Sequence, residues 1–107
     1  MSTNVSPGWV RAAAVADVSD GEVVGVAVCD ADIALYNIGG KIYATANICT
    51  HALARLSDGF VDGESIECPL HGGRFDIRTG KGLCDPIKRD LKVFRVRVLG
   101  DEIQIEM

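Results

Sequence analysis

Two short motifs, Cys49-Thr50-His51 and Cys68-Pro69-Leu70-His71, constrain this chain more than any other feature. They stand sixteen residues apart and take up both histidines and two of the four cysteines. Two thiolates and two imidazoles form a mixed sulfur–nitrogen donor set of the kind that holds a metal. A fold containing them must bring two glycine-bounded loops to one place. The block 48–86, which also contains Cys84, therefore reads as a small lobe built around the two motifs.

The flanking sequence indicates an all-β frame. Short β-branched segments alternate with glycine and aspartate, and none sustains a helical period. Residues 9–13 read as a first strand. Residues 22–29 and 32–37 flank a turn at Asp30-Ala31, and Gly39-Gly40 separates 34–38 from 41–46. A double glycine supplies the positive φ values of a two-residue hairpin. Residues 91–99 and 102–107 flank Gly100-Asp101, with Val93, Arg95, Arg97 and Leu99 alternating with Phe94, Val96 and Val98. The best helical candidate is 12–18. The expectation is one domain, 1–107: an antiparallel β-sandwich or barrel base with an inserted lobe at about 47–86.

Composition narrows the functional classes. The chain has 107 residues, 48% hydrophobic and 24% charged, ordinary for a folded protein. A net charge of −4 argues against nucleic acid, whose partners carry basic patches. The first residues have no basic or apolar leader, and the longest apolar run, 23–29, is far too short to span a bilayer. The chain thus reads as cytoplasmic, without a membrane partner, and as a monomer because no apolar face is left to spare. Thiols stay reduced in that compartment, so its cysteines read as ligands or buried thiols. Cys29 ends an apolar strand and reads as a small buried hydrophobe. Cys84 is not assigned as a ligand.

The order of residues within each motif matters more than their number. In a Rieske centre two cysteines bind one iron of a [2Fe–2S] cluster and two histidines bind the other. Each loop must then send one ligand to each iron, and both loops here carry one Cys followed by one His. A structural zinc site could use the same donors, although zinc pairs favour Cys with Cys and His with His. A nucleophilic cysteine with a histidine base is a further alternative, and nothing in the sequence supplies its orienting third group.

The stretches Ala44-Thr45-Ala46-Asn47-Ile48-Cys49-Thr50-His51, Ser57-Asp58-Gly59-Phe60 and Ile66-Glu67-Cys68-Pro69-Leu70-His71 resemble the Rieske-type ferredoxins of bacterial aromatic-ring-hydroxylating dioxygenase systems, the naphthalene dioxygenase type above all. The similarity continues through Gly73-Arg74-Phe75-Asp76, Thr79-Gly80-Lys81, Leu83-Cys84 and Pro86. The resemblance implies a Rieske fold with one [2Fe–2S] cluster. Cys49 and Cys68 would hold the buried iron, His51 and His71 the iron near the surface, and Asp85-Pro86 would lie in a loop covering the cluster.

The same resemblance implies a non-catalytic electron carrier between a flavin-containing ferredoxin reductase and a terminal Rieske oxygenase. The catalytic oxygenase subunit needs a further iron on a 2-His-1-carboxylate triad, and both histidines here are already used. High-potential relatives carry an extra cysteine in each loop, where this chain has Ala54 and Leu70. They also carry a serine and a tyrosine that donate to the cluster sulfurs, where this chain has Gly73 and Phe75. Neither of these offers a side-chain hydroxyl, so a low potential is expected. A docking tip of Leu53, Leu70 and Pro86, with acidic steering from Asp58, Asp62, Glu64 and Asp85, completes the reading.

Overall fold

The computed structural model describes residues 8–50, 53–70, 72–85 and 87–107. Three antiparallel sheets account for its regular structure. The first contains β1 (Trp9–Ala14), β9 (Val96–Leu99) and β10 (Glu102–Glu106), in the order β1-β10-β9. The second contains β2 (Val23–Val28), β3 (Ala31–Ile38), β4 (Lys41–Ala46) and β8 (Val93–Phe94), in that order. A small third sheet contains β5 (Phe60–Asp62), β6 (Ser65–Glu67) and β7 (Arg74–Asp76). The expected all-β architecture is observed, and among the described residues no helix is long and apolar enough to cross a membrane.

The second sheet is the middle layer, and β3 explains why. Its central residues are buried without alternation, because successive side chains point to opposite faces and both faces are covered. Ile33 and Leu35 pack with Ala13, Ile103 and Ile105 of the first sheet. Ala34 and Tyr36 pack with Ile66 and Phe75 of the third. Each large apolar side chain buried this way contributes about 1.5–3 kcal/mol. The Tyr36 hydroxyl, fully enclosed, is hydrogen-bonded to Thr45 Oγ1 at 2.8 Å.

Turn chemistry matches the sequence reading at one hairpin and corrects it at another. Ile38 pairs with Lys41 around Gly39 and Gly40, whose φ values are 64° and 91°. The β2–β3 turn falls on Cys29-Asp30 rather than Asp30-Ala31, with φ of 49° and 67°, and Ala31 opens β3 opposite Val28. A type I′ turn requires positive φ at both central residues, which Asp tolerates. Cys29 is therefore exposed on a turn and not a buried hydrophobe.

Two further expectations change. The helical candidate 12–18 yields only a 3₁₀ turn, Val15–Asp17, because β1 continues to Ala14 paired with β10, through a one-residue register shift between Arg11 and Ala13. Sheet pairing overrides the helix preference of its alanines. Residues 91–99 do not form one strand: Phe94 pairs with Ala44, whereas Val96 pairs with Ile105. The chain changes sheets at Arg95, a step that alternation alone does not reveal.

The third sheet is inserted between strands that are neighbours. Thr45 pairs with Val93, and the Ala46 N–H donates to the Lys92 carbonyl at 2.9 Å. The chain thus leaves β4 and returns on β8 side by side, and everything that carries the two motifs is built between those points.

Candidate metal centre

Each motif opens a loop closed by the same hydrogen bond. The Cys49 N–H donates to the Ala54 carbonyl at 2.9 Å, and the Cys68 N–H donates to the Gly73 carbonyl at 2.7 Å. In both loops the bond spans five residues and starts at the cysteine. The first loop is flanked by the Ile48–Arg55 bridge, and the second by the Glu67–Arg74 rung of β6 and β7. Two backbone rings of one design hold the two cysteines at corresponding positions.

Those cysteines meet in the core. Cys49 and Cys68 are 4% and 1% exposed and share a cluster with Ala54, Leu56, Phe75 and Leu91. Burial pushes the Cys68 thiol up to about 11; the Leu70 amide opposes this, and the adjacent Cys49 adds to it. Taking a thiolate into an apolar site is costly. A metal held by both thiols would supply the positive charge that ionises them, so this donor pair fits an iron–sulfur group. No disulfide joins any of the four cysteines among the described residues.

His51 and His71, the other expected ligands, and Pro86 of the expected covering loop lie outside the described residues. Cys84 is exposed, its Sγ 3.9 Å from the Gly72 carbonyl. Gly73 and Phe75, at the positions where high-potential relatives carry hydroxyl donors, are buried.

The flanks of the loops carry a polar frame that the sequence reading did not single out. Asn47, fully buried, donates from Nδ2 to Asp32 Oδ1 and to Ser57 Oγ, each at 2.9 Å. Its Oδ1 accepts from the Ser57 N–H at 2.8 Å. Arg55 Nε donates to Asp32 Oδ2 at 2.8 Å. These bonds from Asn47 first and Arg55 second hold the Asp32 carboxyl below its ordinary pKa. At the second loop Arg74 Nη2 donates to Glu67 Oε1 at 3.1 Å, and Nη1 to Asp62 Oδ2 at 3.3 Å. A signal for this frame was present: an arginine stands six positions after Cys49 and after Cys68, Arg55 and Arg74.

Three exposed leucines lie on or beside the loops. Leu53 is 97% exposed, and Leu70 and Leu83 are about half exposed. The acidic residues expected to steer partners are less available than their number suggests. Asp62 pairs with Arg74, and Glu64 pairs with Arg78 at 3.5 Å. Asp58 and Asp85 remain as exposed carboxylates in this region.

The fold and the paired cysteine loops define an iron–sulfur domain. The chain belongs to the Rieske [2Fe-2S] domain family, whose model matches residues 8–95. It is 50% identical over 99 residues to the ferredoxin component of the naphthalene 1,2-dioxygenase/salicylate 5-hydroxylase systems of Ralstonia sp., covering 92% of this chain and 95% of that one. Among solved structures, the Sphingomonas yanoikuyae B1 ferredoxin matches with a TM-score of 0.88 at 40% identity, covering 92% and 97% of the two chains. A chain from the complex of reduced oxygenase and oxidized ferredoxin in carbazole 1,9a-dioxygenase matches with a TM-score of 0.87 at 37% identity, covering 94% of each.

Proposed function

We propose that Cys49, His51, Cys68 and His71 hold the cluster. We further propose that the chain is a cytoplasmic, monomeric ferredoxin passing single electrons from a flavin-containing reductase to a terminal ring-hydroxylating oxygenase. The observation that carries this reading is the pair of buried, adjacent cysteines heading two loops with identical closures. Ferredoxin components of dioxygenase systems among its relatives support the terminal oxygenase as a partner. A bound Rieske cluster supplies a reversible one-electron couple and no bond chemistry. The residues of the chain bury the thiolates, hold both loops and present an apolar tip to each partner in turn.

Purified protein should carry two irons and two sulfides and give a rhombic reduced-state EPR signal. A colourless protein with one zinc would overturn the reading. The midpoint potential should lie toward about −150 mV, the low end of the Rieske range. Gly73 and Phe75 bring no hydroxyl to the sulfurs, and such donors stabilise the reduced, more negative state. A potentiometric titration with a midpoint well above zero would contradict this account.

Docking at the tip predicts a second result. Leu53 is almost wholly exposed, so its apolar side chain is available for a partner to remove from water. Leu53→Asp should slow electron delivery to the oxygenase on the order of tenfold, with no change in cluster content or thermal midpoint. Stopped-flow oxidation of the reduced ferredoxin by an oxygenase of this class would measure it. An unchanged rate would move the docking surface elsewhere.

A further inference from the structure

We propose that two arginine–carboxylate pairs, Arg55–Asp32 and Arg74–Glu67, are positioning residues that fix the two cluster loops and retard loss of the cluster. The inference rests on the ligand reading above and goes beyond it to residues outside the ligand set.

The two loops share a second feature besides their hydrogen bond. The residue after each accepting carbonyl is an arginine, Arg55 after Ala54 and Arg74 after Gly73, and each is held by a carboxylate. At the second loop the carboxylate belongs to the residue before the cysteine. Glu67 and Arg74 face each other across β6 and β7, so their pair ties the two feet of the loop directly.

At the first loop the feet are tied through a third party. Asp32 of β3 receives Asn47, two residues before Cys49, on one oxygen and Arg55 on the other. Asp32 thereby anchors both ends of the loop to the middle sheet. Asn47 extends the tie to Ser57, and the Leu56 N–H donates to the Asn47 carbonyl at 2.7 Å. Gly25 of β2 lies against this joint, where an added Cβ would come within 2.9 Å of both Asn47 Nδ2 and Ser57 Oγ.

Both ion pairs are partly exposed, and pairs of that kind add little to global stability. Repetition of a carboxylate-held arginine at the same place in both loops argues for a local task. A cluster bridging two loops needs each loop to keep its own span, because each loop supplies one ligand to each iron. A clamp at each pair of feet does that, while the buried core alone would allow the loop ends to breathe.

The test is cluster loss to excess iron chelator, followed by decay of visible absorbance, in Arg55→Gln, Asp32→Asn and the double variant. Each single variant should lose the cluster on the order of tenfold faster than wild type. The double should be no faster than the singles, because the two residues act as one unit. Thermal midpoints should move little, and the g-values of the reduced EPR signal should shift. Arg55→Lys, which keeps the charge, should recover part of the loss. Arg74→Gln and Glu67→Gln give an independent pair should the first not fold. Arg11→Gln, which breaks the remote 3.4 Å pair with Glu102, should behave as wild type.

Clamp variants that lose iron at the wild-type rate, or singles whose effects add without coupling, would overturn the clamps while leaving the ligand reading intact. A wild-type protein with no Rieske signal would overturn both.

Discussion

Cys68→Ala, and equally Cys49→Ala, should reduce iron and sulfide content to background and abolish the reduced-state EPR signal. The alternative role for these side chains is packing. Both are buried among Ala54, Leu56, Ile66, Phe75 and Leu91, so each could in principle be a small core hydrophobe. A core cysteine replaced by alanine loses one sulfur atom of packing, a cost of about 1 kcal/mol, and the protein would otherwise be unchanged. A ligand replaced by alanine leaves an iron without a donor, and no conservative relaxation restores it. The two accounts thus differ by a modest shift in melting against a total loss of colour. Cys29→Ala and Cys84→Ala provide the internal contrast. Both cysteines are exposed, one on the β2–β3 turn and one beside Gly72, and both variants should retain full cluster content. Iron and sulfide assays with visible absorbance on all four variants decide the matter. Retention of the cluster in either Cys49→Ala or Cys68→Ala would remove that residue from the ligand set.

How much of this could be read from the sequence depended on how local the physics was. The Gly39-Gly40 hairpin and the convergence of the two motif cysteines were legible because turn chemistry and ligand spacing act over a few residues. The β2–β3 turn was misplaced by one residue because the apolar run of β2 reaches visually to Cys29, whereas the last rung is Val28 with Ala31. The change of sheets at Arg95 was not legible, since alternation within 91–99 says which face a residue takes but not which strand lies beside it. Asp32 was missed for the same reason. It stands far from either motif in the chain, and only the pairing of β3 with β4 brings it to Asn47 and Arg55. The acidic steering set was overcounted because the arginines that pair with Asp62 and Glu64 come twelve or more residues later. Of the site itself, the meeting of the two motif cysteines was legible, His51 and His71 lie outside the described residues, and the frame around the loops was not legible.

Gly80→Ala should destabilise the protein by about 3–5 kcal/mol, among the largest effects available to one methyl group. Gly80 is buried with φ of +78°, a region that costs an L-residue roughly 1–2 kcal/mol. Backbone strain alone would be modest. A collision adds more: a Cβ at this position would lie 2.0 Å from the Leu91 carbonyl oxygen and 3.0 Å from Val93 Cγ1. The obstacle is backbone and cannot rotate away. The Leu91 N–H also donates to the Gly80 carbonyl at 2.6 Å, and the Gly80 N–H donates to the Asp76 carbonyl at 2.8 Å. Making room therefore pulls the returning chain away from the end of β7, breaks the Leu91 bond, and withdraws the Leu91 side chain from the cluster that contains Cys49 and Cys68. Gly100→Ala separates the two contributions. Gly100 has φ of +61° with nothing within 4 Å of an added Cβ, so it should show the backbone strain alone, about 1–2 kcal/mol. Equilibrium denaturation of both variants measures the difference. Because Leu91 packs beside the cysteines, Gly80→Ala should also lose its cluster faster than Gly100→Ala at equal distance from the melting midpoint. Equal rates under that matched condition would mean that the returning segment supports the fold and not the metal centre.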